Sequence, residues 1–242
     1  MDMEKSVIGK DEFREKGYLY DSMENYSDLI NFDEYKNWVD SLMSHNLIRN
    51  SIREYWFSHN SQSYQEYIHY KDLLKVDDSL EDADYVFQKG HEYQLKKIEE
   101  SGFKPSWIFG KADTSEINHI LFGETIMNFQ KKFVERYYPD KVSDEYESNF
   151  AVQYYDKGCL IDTHDDGRPE GRICVFLYFL NDGWNQLDGG NLIVDVDKLK
   201  STMCTPSYPK FIVLDSDVNL VHEVQKVQKN VRYTAVNFLA NK

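Results

Sequence analysis

The chain has 242 residues, 41% of them hydrophobic and 15% aromatic. That is enough apolar surface for a packed core in one large domain, or a core domain with an extension, and it argues against a disordered chain. Its 42 acidic residues against 28 basic ones leave a net charge of −14, which argues against a nucleic-acid partner, because phosphate backbones are met by basic faces. The three cysteines, Cys159, Cys174 and Cys204, match neither a disulfide framework nor a zinc site, so reduced thiols in a cytoplasmic protein are expected. MDMEKSVIGKDEF lacks the apolar run of a secretory signal, and nothing approaches the ~18 apolar residues of a membrane helix, so no membrane association is expected.

Helical periodicity dominates up to about residue 145. Tyr35, Trp38, Val39, Leu42 and Met43 form one stripe, with Asp33 and Glu34 in the expected first turn. Ser79 and Asp82 have capping-box-like spacing before a second stripe of Tyr85, Val86, Tyr93 and Ile98. A third helix is expected from about Asp113 to Ser115, with Phe122, Ile126, Phe129, Phe133 and Tyr137 on one face and Pro139 at its end. After Ser148 the texture changes to short apolar runs broken by turn signals: FAVQYY, ICVFLYFL, NLIVDV, KFIVL and YTAVNFLA. Runs this short, without helical spacers, predict an antiparallel sandwich or barrel such as a jelly roll. The unbroken run at 173–180 predicts a strand covered on both faces, with the preceding helices as the cover. The expected fold is therefore α+β: residues 1–145 a helix-rich region packing on a β core at 146–242.

The stretch LIDTHDDGRPEGRICVFLYFLN places a histidine and three acids at the mouth of that apolar strand. On an extended backbone His164 and Asp166 point the same way, and Asp165 points away. A lone His-x-Asp is weak evidence. Farther on, an apolar strand runs into a polar turn and His222, and ten residues later Arg232 sits inside another apolar strand, NVRYTAVNFL. Two histidines and a carboxylate make a facial triad, which leaves one face of a metal open, as in non-haem Fe(II) oxygenases. An arginine in an apolar strand needs an anionic partner, and a planar guanidinium suits the far carboxylate of a dicarboxylate such as 2-oxoglutarate.

From about 148 to 240 the chain resembles the 2-oxoglutarate- and Fe(II)-dependent dioxygenases of the prolyl 4-hydroxylase-like group, including the oxygen-sensing and ribosomal-protein prolyl hydroxylases. The likeness lies in YYDKGCLIDTHDD, RICVFLYFLNDGW, DGGNLIV, SDVNLVHEV and NVRYTAV. It implies a double-stranded β-helix, or jelly-roll, core in which His164, Asp166 and His222 hold Fe(II) and are catalytic. Arg232 would take the C5 carboxylate of 2-oxoglutarate. Tyr154, ten residues before His164, and Thr234, on the face of Arg232, are carried over as cosubstrate contacts. Arg172, which matches a family arginine near the substrate entrance, and Arg168 are candidate substrate contacts. Phe176, Phe179 and Phe238 suit a shielded site. Oxygen-sensing members have a tyrosine directly before the Leu-Asn of the central strand, where this chain has Phe179; the neighbouring Tyr178 falls on the opposite face and does not replace it.

The resemblance implies hydroxylation of an unactivated C–H bond, with Fe(II), 2-oxoglutarate and O2 required and ascorbate a candidate reductant. Halogenating relatives replace the aspartate of the triad, and Asp166 is present here. A prolyl residue of a peptide or protein is the first substrate expectation. A free or carrier-bound amino acid or another small metabolite is the second, and a non-catalytic jelly-roll binding protein is the reading from another class. Open access around GRPEG and the 184–190 segment would favour a peptide; a lid of N-terminal helices would favour a small molecule. Oligomeric state is not legible.

Overall fold

A computed structural model describes residues 8–48, 51–58, 62, 65, 92, 95–96, 98–100, 102, 105–195, 201–218 and 220–242. The strands are β1 (Tyr18–Ser22), β2 (Ile52–Trp56), β3 (Trp107–Lys111), β4 (Tyr146–Tyr155), β5 (Leu160–His164), β6 (Arg172–Phe179), β7 (Leu192–Val194), β8 (Thr202–Cys204), β9 (Lys210–Asp215), β10 (His222–Val224) and β11 (Arg232–Asn241). The longer helices are α1 (Lys10–Lys16), α2 (Phe32–Ser44), α3 (Asn118–Leu121) and α4 (Glu124–Tyr137).

All strand pairs are antiparallel, in the order β1-β9-β6-β11-β4-β3-β5-β10-β7-β8, with β2 on the flank of β3. β3 turns the corner: Gly110 and Lys111 pair with β4, whereas Trp107 and Ile108 pair with β5. The sheet thereby folds over on itself as the expected jelly roll. Three strands that the sequence pattern did not flag, β1, β2 and β3, come from the N-terminal region and pair into this sheet. They lack a long alternating run, and pairing with neighbours decides them.

The alternation of β6 divides the core. Cys174, Phe176 and Tyr178 face the helices, whereas Val175 and Phe179 face the interior between the two halves of the sheet. The strand is covered on both faces, as its unbroken apolar run predicts. Phe176 consequently packs under α4 and not in the shielded interior. α2 buries Tyr35, Trp38, Val39 and Leu42, and the Asn31 side chain caps it by accepting from Asp33 N–H at 2.9 Å. The third expected helix is two. Gly123 breaks it, and Phe122 at the break is 45% exposed, while Ile126, Phe129, Phe133 and Tyr137 are buried along α4. Ser79, Asp82, Tyr85, Val86 and Tyr93 lie outside the described residues, as does Val196; Ile98 is helical.

On the helix side a buried polar chain ties α4 to the sheet. Gln130 Nε2 donates to Tyr178 Oη at 2.9 Å, and Asn237 Nδ2 donates to Gln130 Oε1 at 2.8 Å. Tyr178 is thus committed to the helix face, as its register predicts.

Candidate metal and cosubstrate site

His164 ends β5 and His222 opens β10, and the two are direct cross-strand partners. Cross-strand pairing brings their rings to a centroid separation of 4.3 Å. Asp166, two residues beyond His164, returns its carboxylate to the pair: Oδ1 lies 3.8 Å from His164 Nε2 and Oδ2 lies 3.7 Å from His222 Nε2. One ligand atom from each residue falls within 4.8 Å of the others, the single such His/Cys/Asp/Glu cluster among the described residues.

The tautomers follow from hydrogen bonding. His164 Nδ1 lies 2.8 Å from Asp162 C=O, and His222 Nδ1 lies 3.0 Å from Leu220 C=O. A carbonyl can only accept, so each Nδ1 carries the proton and each Nε2 keeps its lone pair for the centre of the cluster. Burial and the neighbouring His222 imidazole hold the His164 pKa below its usual value, which favours the neutral, ligating form. Trp107 packs 5.0 Å from the His164 ring and Trp56 lies 5.8 Å from Trp107. Trp107 did not stand out in the sequence, because SWIFGK is too short to show a period.

Arg232, the first residue of β11, is fully buried, and its Nε, Nη1 and Nη2 have no hydrogen-bond partner among the described residues. Two rings flank the guanidinium, Tyr155 at 4.5 Å and Phe179 at 5.6 Å. Desolvation pulls the Arg232 pKa down. Thr234, two residues on and on the same face, has a buried hydroxyl that is also unpartnered. Buried donors are nearly always satisfied, and a buried unpaired guanidinium is costly. Together these orphaned groups fit an anionic ligand with carboxylate acceptors.

The tyrosine at this arginine is Tyr155 and not Tyr154. Tyr155 is the register partner of Arg232, and burial pushes its hydroxyl pKa up to about 12 against the lowering pull of the Arg232 guanidinium. Tyr155 Oη donates to Gln153 Oε1 at 2.7 Å. Tyr154 pairs with Tyr233 and faces the opposite side of the sheet. There its ring covers Gly110, where an added Cβ would lie 1.8 Å from ring carbons. Counting ten residues back from His164 reaches the wrong face, since adjacent residues of a strand alternate.

Arg172 opens β6 partly buried. It stacks over Phe238 at 4.6 Å, and Nη1 donates to the Asp166 carbonyl at 2.9 Å. Arg168 lies exposed in the 167–171 loop. Both line a cavity of about 380 Å³ with Lys141, Ser216, Asp217 and Asn241. Asp165 is exposed and accepts from Gly167 N–H at 2.9 Å, a turn contact within the loop. Cys159, Cys174 and Cys204 are free and buried. No helix among the described residues is long and apolar enough to cross a membrane.

Residues 150–240 match the family model of the 2OG-Fe(II) oxygenase superfamily. A prolyl hydroxylase from Trichoplax adhaerens, solved with a peptide fragment of the hypoxia-inducible factor oxygen degradation domain, shares 14% identity at a TM-score of 0.50, over 98% of this chain and 88% of that one. A prolyl 4-hydroxylase from Phytophthora capsici shares 16% identity at a TM-score of 0.51, over 98% of this chain and 62% of that one. No curated protein matches the chain. Residues 150–240 thus match the 2OG-Fe(II) oxygenase superfamily, whose members use Fe(II), 2-oxoglutarate and O2, the chain has the fold of the prolyl hydroxylases, and both support an oxidoreductase.

Proposed function

We propose that the chain hydroxylates a prolyl residue of a peptide or protein. His164, Asp166 and His222 would hold Fe(II), and Arg232 and Thr234 would take the distal carboxylate of 2-oxoglutarate. The observation that carries the cosubstrate assignment is Arg232, a fully buried guanidinium whose three nitrogens have no hydrogen-bond partner among the described residues. Tyr155, stacked on that guanidinium, takes the place first expected of Tyr154. The functional division we propose puts all of these groups in residues 146–242, with 1–145 supporting them.

Fe(II) held by His164, Asp166 and His222 would, with 2-oxoglutarate and O2, supply the oxidising power. The protein's own part is placement. The two Nδ1 bonds to backbone carbonyls fix both imidazole planes, so the Nε2 lone pairs converge with the Asp166 carboxylate. Tyr155 and Phe179 flank the Arg232 guanidinium and Gly190 packs against its stem, which keeps water from it and strengthens a guanidinium–carboxylate contact.

A peptide is favoured by access. Gly167 to Gly171 are all exposed, as are Asn185, Gln186 and Leu187. The described helices α2 and α4 pack on the outer face of the sheet, against Tyr178, Phe176 and Phe211, and not across the triad. Arg168 and Arg172, for which no ion pair is found among the described residues, follow Asp166 in the chain, Arg172 bonded to its carbonyl, and would contact the peptide. The solved peptide complex of the Trichoplax adhaerens prolyl hydroxylase, which has this fold, supports the same reading.

The test incubates the protein with Fe(II), 2-oxoglutarate, O2 and ascorbate, against proline-containing peptides and free amino acids. Succinate release and addition of one oxygen to the peptide, both abolished by His222→Ala, are expected. Oxygen addition to a free amino acid alone would replace the peptide reading with the small-molecule one. Failure of the folded protein to bind Fe(II) and 2-oxoglutarate together would leave a non-catalytic jelly roll.

A further inference from the structure

Tyr155 and Phe179 flank the Arg232 guanidinium, but no carboxylate among the described residues pairs with it, so no ion pair aims it and the direction in which its side chain leaves the backbone matters. That backbone starts where β6 stops. β6 ends at Phe179, and its ladder to β11 continues through one more bond, Leu180 N–H to Tyr233 C=O at 3.2 Å. The chain then leaves the sheet for the Asp182–Gly183 turn, where Gly183 has φ 64°. A side chain makes the next rungs. Asn181 Nδ2 donates to Val231 C=O at 2.8 Å, and Asn181 Oδ1 accepts from Tyr233 N–H at 2.6 Å. The Asn181 carbonyl itself accepts from Tyr208 N–H at 2.8 Å, which anchors the amide to the turn before β9.

The Val231 carbonyl belongs to the peptide plane entering Arg232, and the Tyr233 N–H belongs to the plane leaving it. Two rigid planes held by one amide set φ and ψ between them, and with them the direction of the Arg232 Cα–Cβ bond. A primary amide carries its donor and its acceptor on two separate atoms of one short side chain, as this pair of bonds uses them.

We propose that Asn181 is a positioning residue for cosubstrate binding: its amide clamps the two peptide planes around Arg232 and so aims the guanidinium. The inference rests on reading Arg232 as the 2-oxoglutarate carboxylate site. Nothing in the clamp touches the metal ligands, so it should change 2-oxoglutarate affinity and leave Fe(II) affinity alone.

The experiment compares wild type, Asn181→Ala and Asn237→Ala under anaerobic conditions. Asn237 is a buried amide on the same strand, bonded to Gln130 on the helix face, and serves as the structural control. Fe(II) affinity is measured by calorimetry. 2-Oxoglutarate affinity is measured by titrating the visible charge-transfer band of its Fe(II) chelate, and melting temperature is recorded for each protein. Asn181→Ala should bind Fe(II) as wild type does and bind 2-oxoglutarate about 10- to 100-fold more weakly, the range over which partners that orient a ligating group act. Asn237→Ala should melt lower with wild-type 2-oxoglutarate affinity. A folded Asn181→Ala with wild-type 2-oxoglutarate affinity, or an equal loss in Asn237→Ala, overturns the inference. Should the alanine variant not fold, Asn181→Asp keeps the acceptor for Tyr233 N–H and loses the donor; weakened 2-oxoglutarate binding with intact Fe(II) binding supports the clamp, and unchanged binding overturns it. Absence of the band in wild type would instead sink the underlying assignment of Arg232.

Discussion

Replacing Arg232 with methionine should stabilise the ligand-free protein while abolishing 2-oxoglutarate binding. The guanidinium is fully buried, three of its nitrogens lack partners, and no carboxylate pairs with it. Each buried donor left unsatisfied costs about 1–3 kcal/mol. Stacking on Tyr155 at 4.5 Å and Phe179 at 5.6 Å returns about 0.5–2 kcal/mol per ring. The balance stays unfavourable in the absence of an anion. Methionine fills a similar volume with no polar atom, and replacement of buried charges by apolar side chains gains about 1–4 kcal/mol in favourable cases. At about 2–4 °C per kcal/mol for a chain of this size, the apo variant should melt about 2–16 °C higher than wild type. Wild type with Fe(II) should in turn gain about 2.7 kcal/mol from 2-oxoglutarate at a hundred times its Kd, and the variant nothing. Scanning calorimetry with and without the cosubstrate reads both effects. An apo variant that melts well below wild type would show that Arg232 is a structural residue already satisfied in the free protein. A retained 2-oxoglutarate shift would refute the cosubstrate reading.

Three further outcomes follow from the geometry. His222→Ala should lose Fe(II) binding by calorimetry while keeping the wild-type circular dichroism spectrum, because Nε2 faces the triad and not the core. Tyr178→Phe should lower stability by about 1–2 kcal/mol in urea titration, since Gln130 loses a buried acceptor, and should leave 2-oxoglutarate affinity unchanged because the hydroxyl is on the helix side. Gly110→Ala should destabilise by about 1–3 kcal/mol or more, because its Cβ would enter the Tyr154 ring; adding Tyr154→Ala should recover part of the loss, and no recovery would show that Gly110 serves another purpose.

β4, β6, β9 and β11 were legible because those strands are long enough to show their character. The run at 173–180 has apolar residues at both parities, and both its faces are in fact buried. The α2 stripe was legible for the same reason at helical period. Phe122 was placed on the α4 face by spacing alone, but Gly123 ends one helix and starts another, so the count restarts and the ring points outward. β1, β2 and β3 were not legible, since five residues with no long alternation gain their strand conformation from the neighbours they pair with.

The sequence alone determined the chemistry of the site: His164, Asp166, His222 and Arg232 stand out by type and local spacing, and the strand alternation separates Tyr178 from Phe179. Tertiary structure decided what lies across strands. Which tyrosine meets Arg232 depends on the register of β4 against β11, and a one-residue step exchanges Tyr154 for Tyr155 and reverses the face. The Asn181 clamp depends on where β6 leaves the sheet beside β11, a contact between residues far apart in the chain. Residue type and period are local properties and can be read along the chain; register and exit points are set only when distant strands pair.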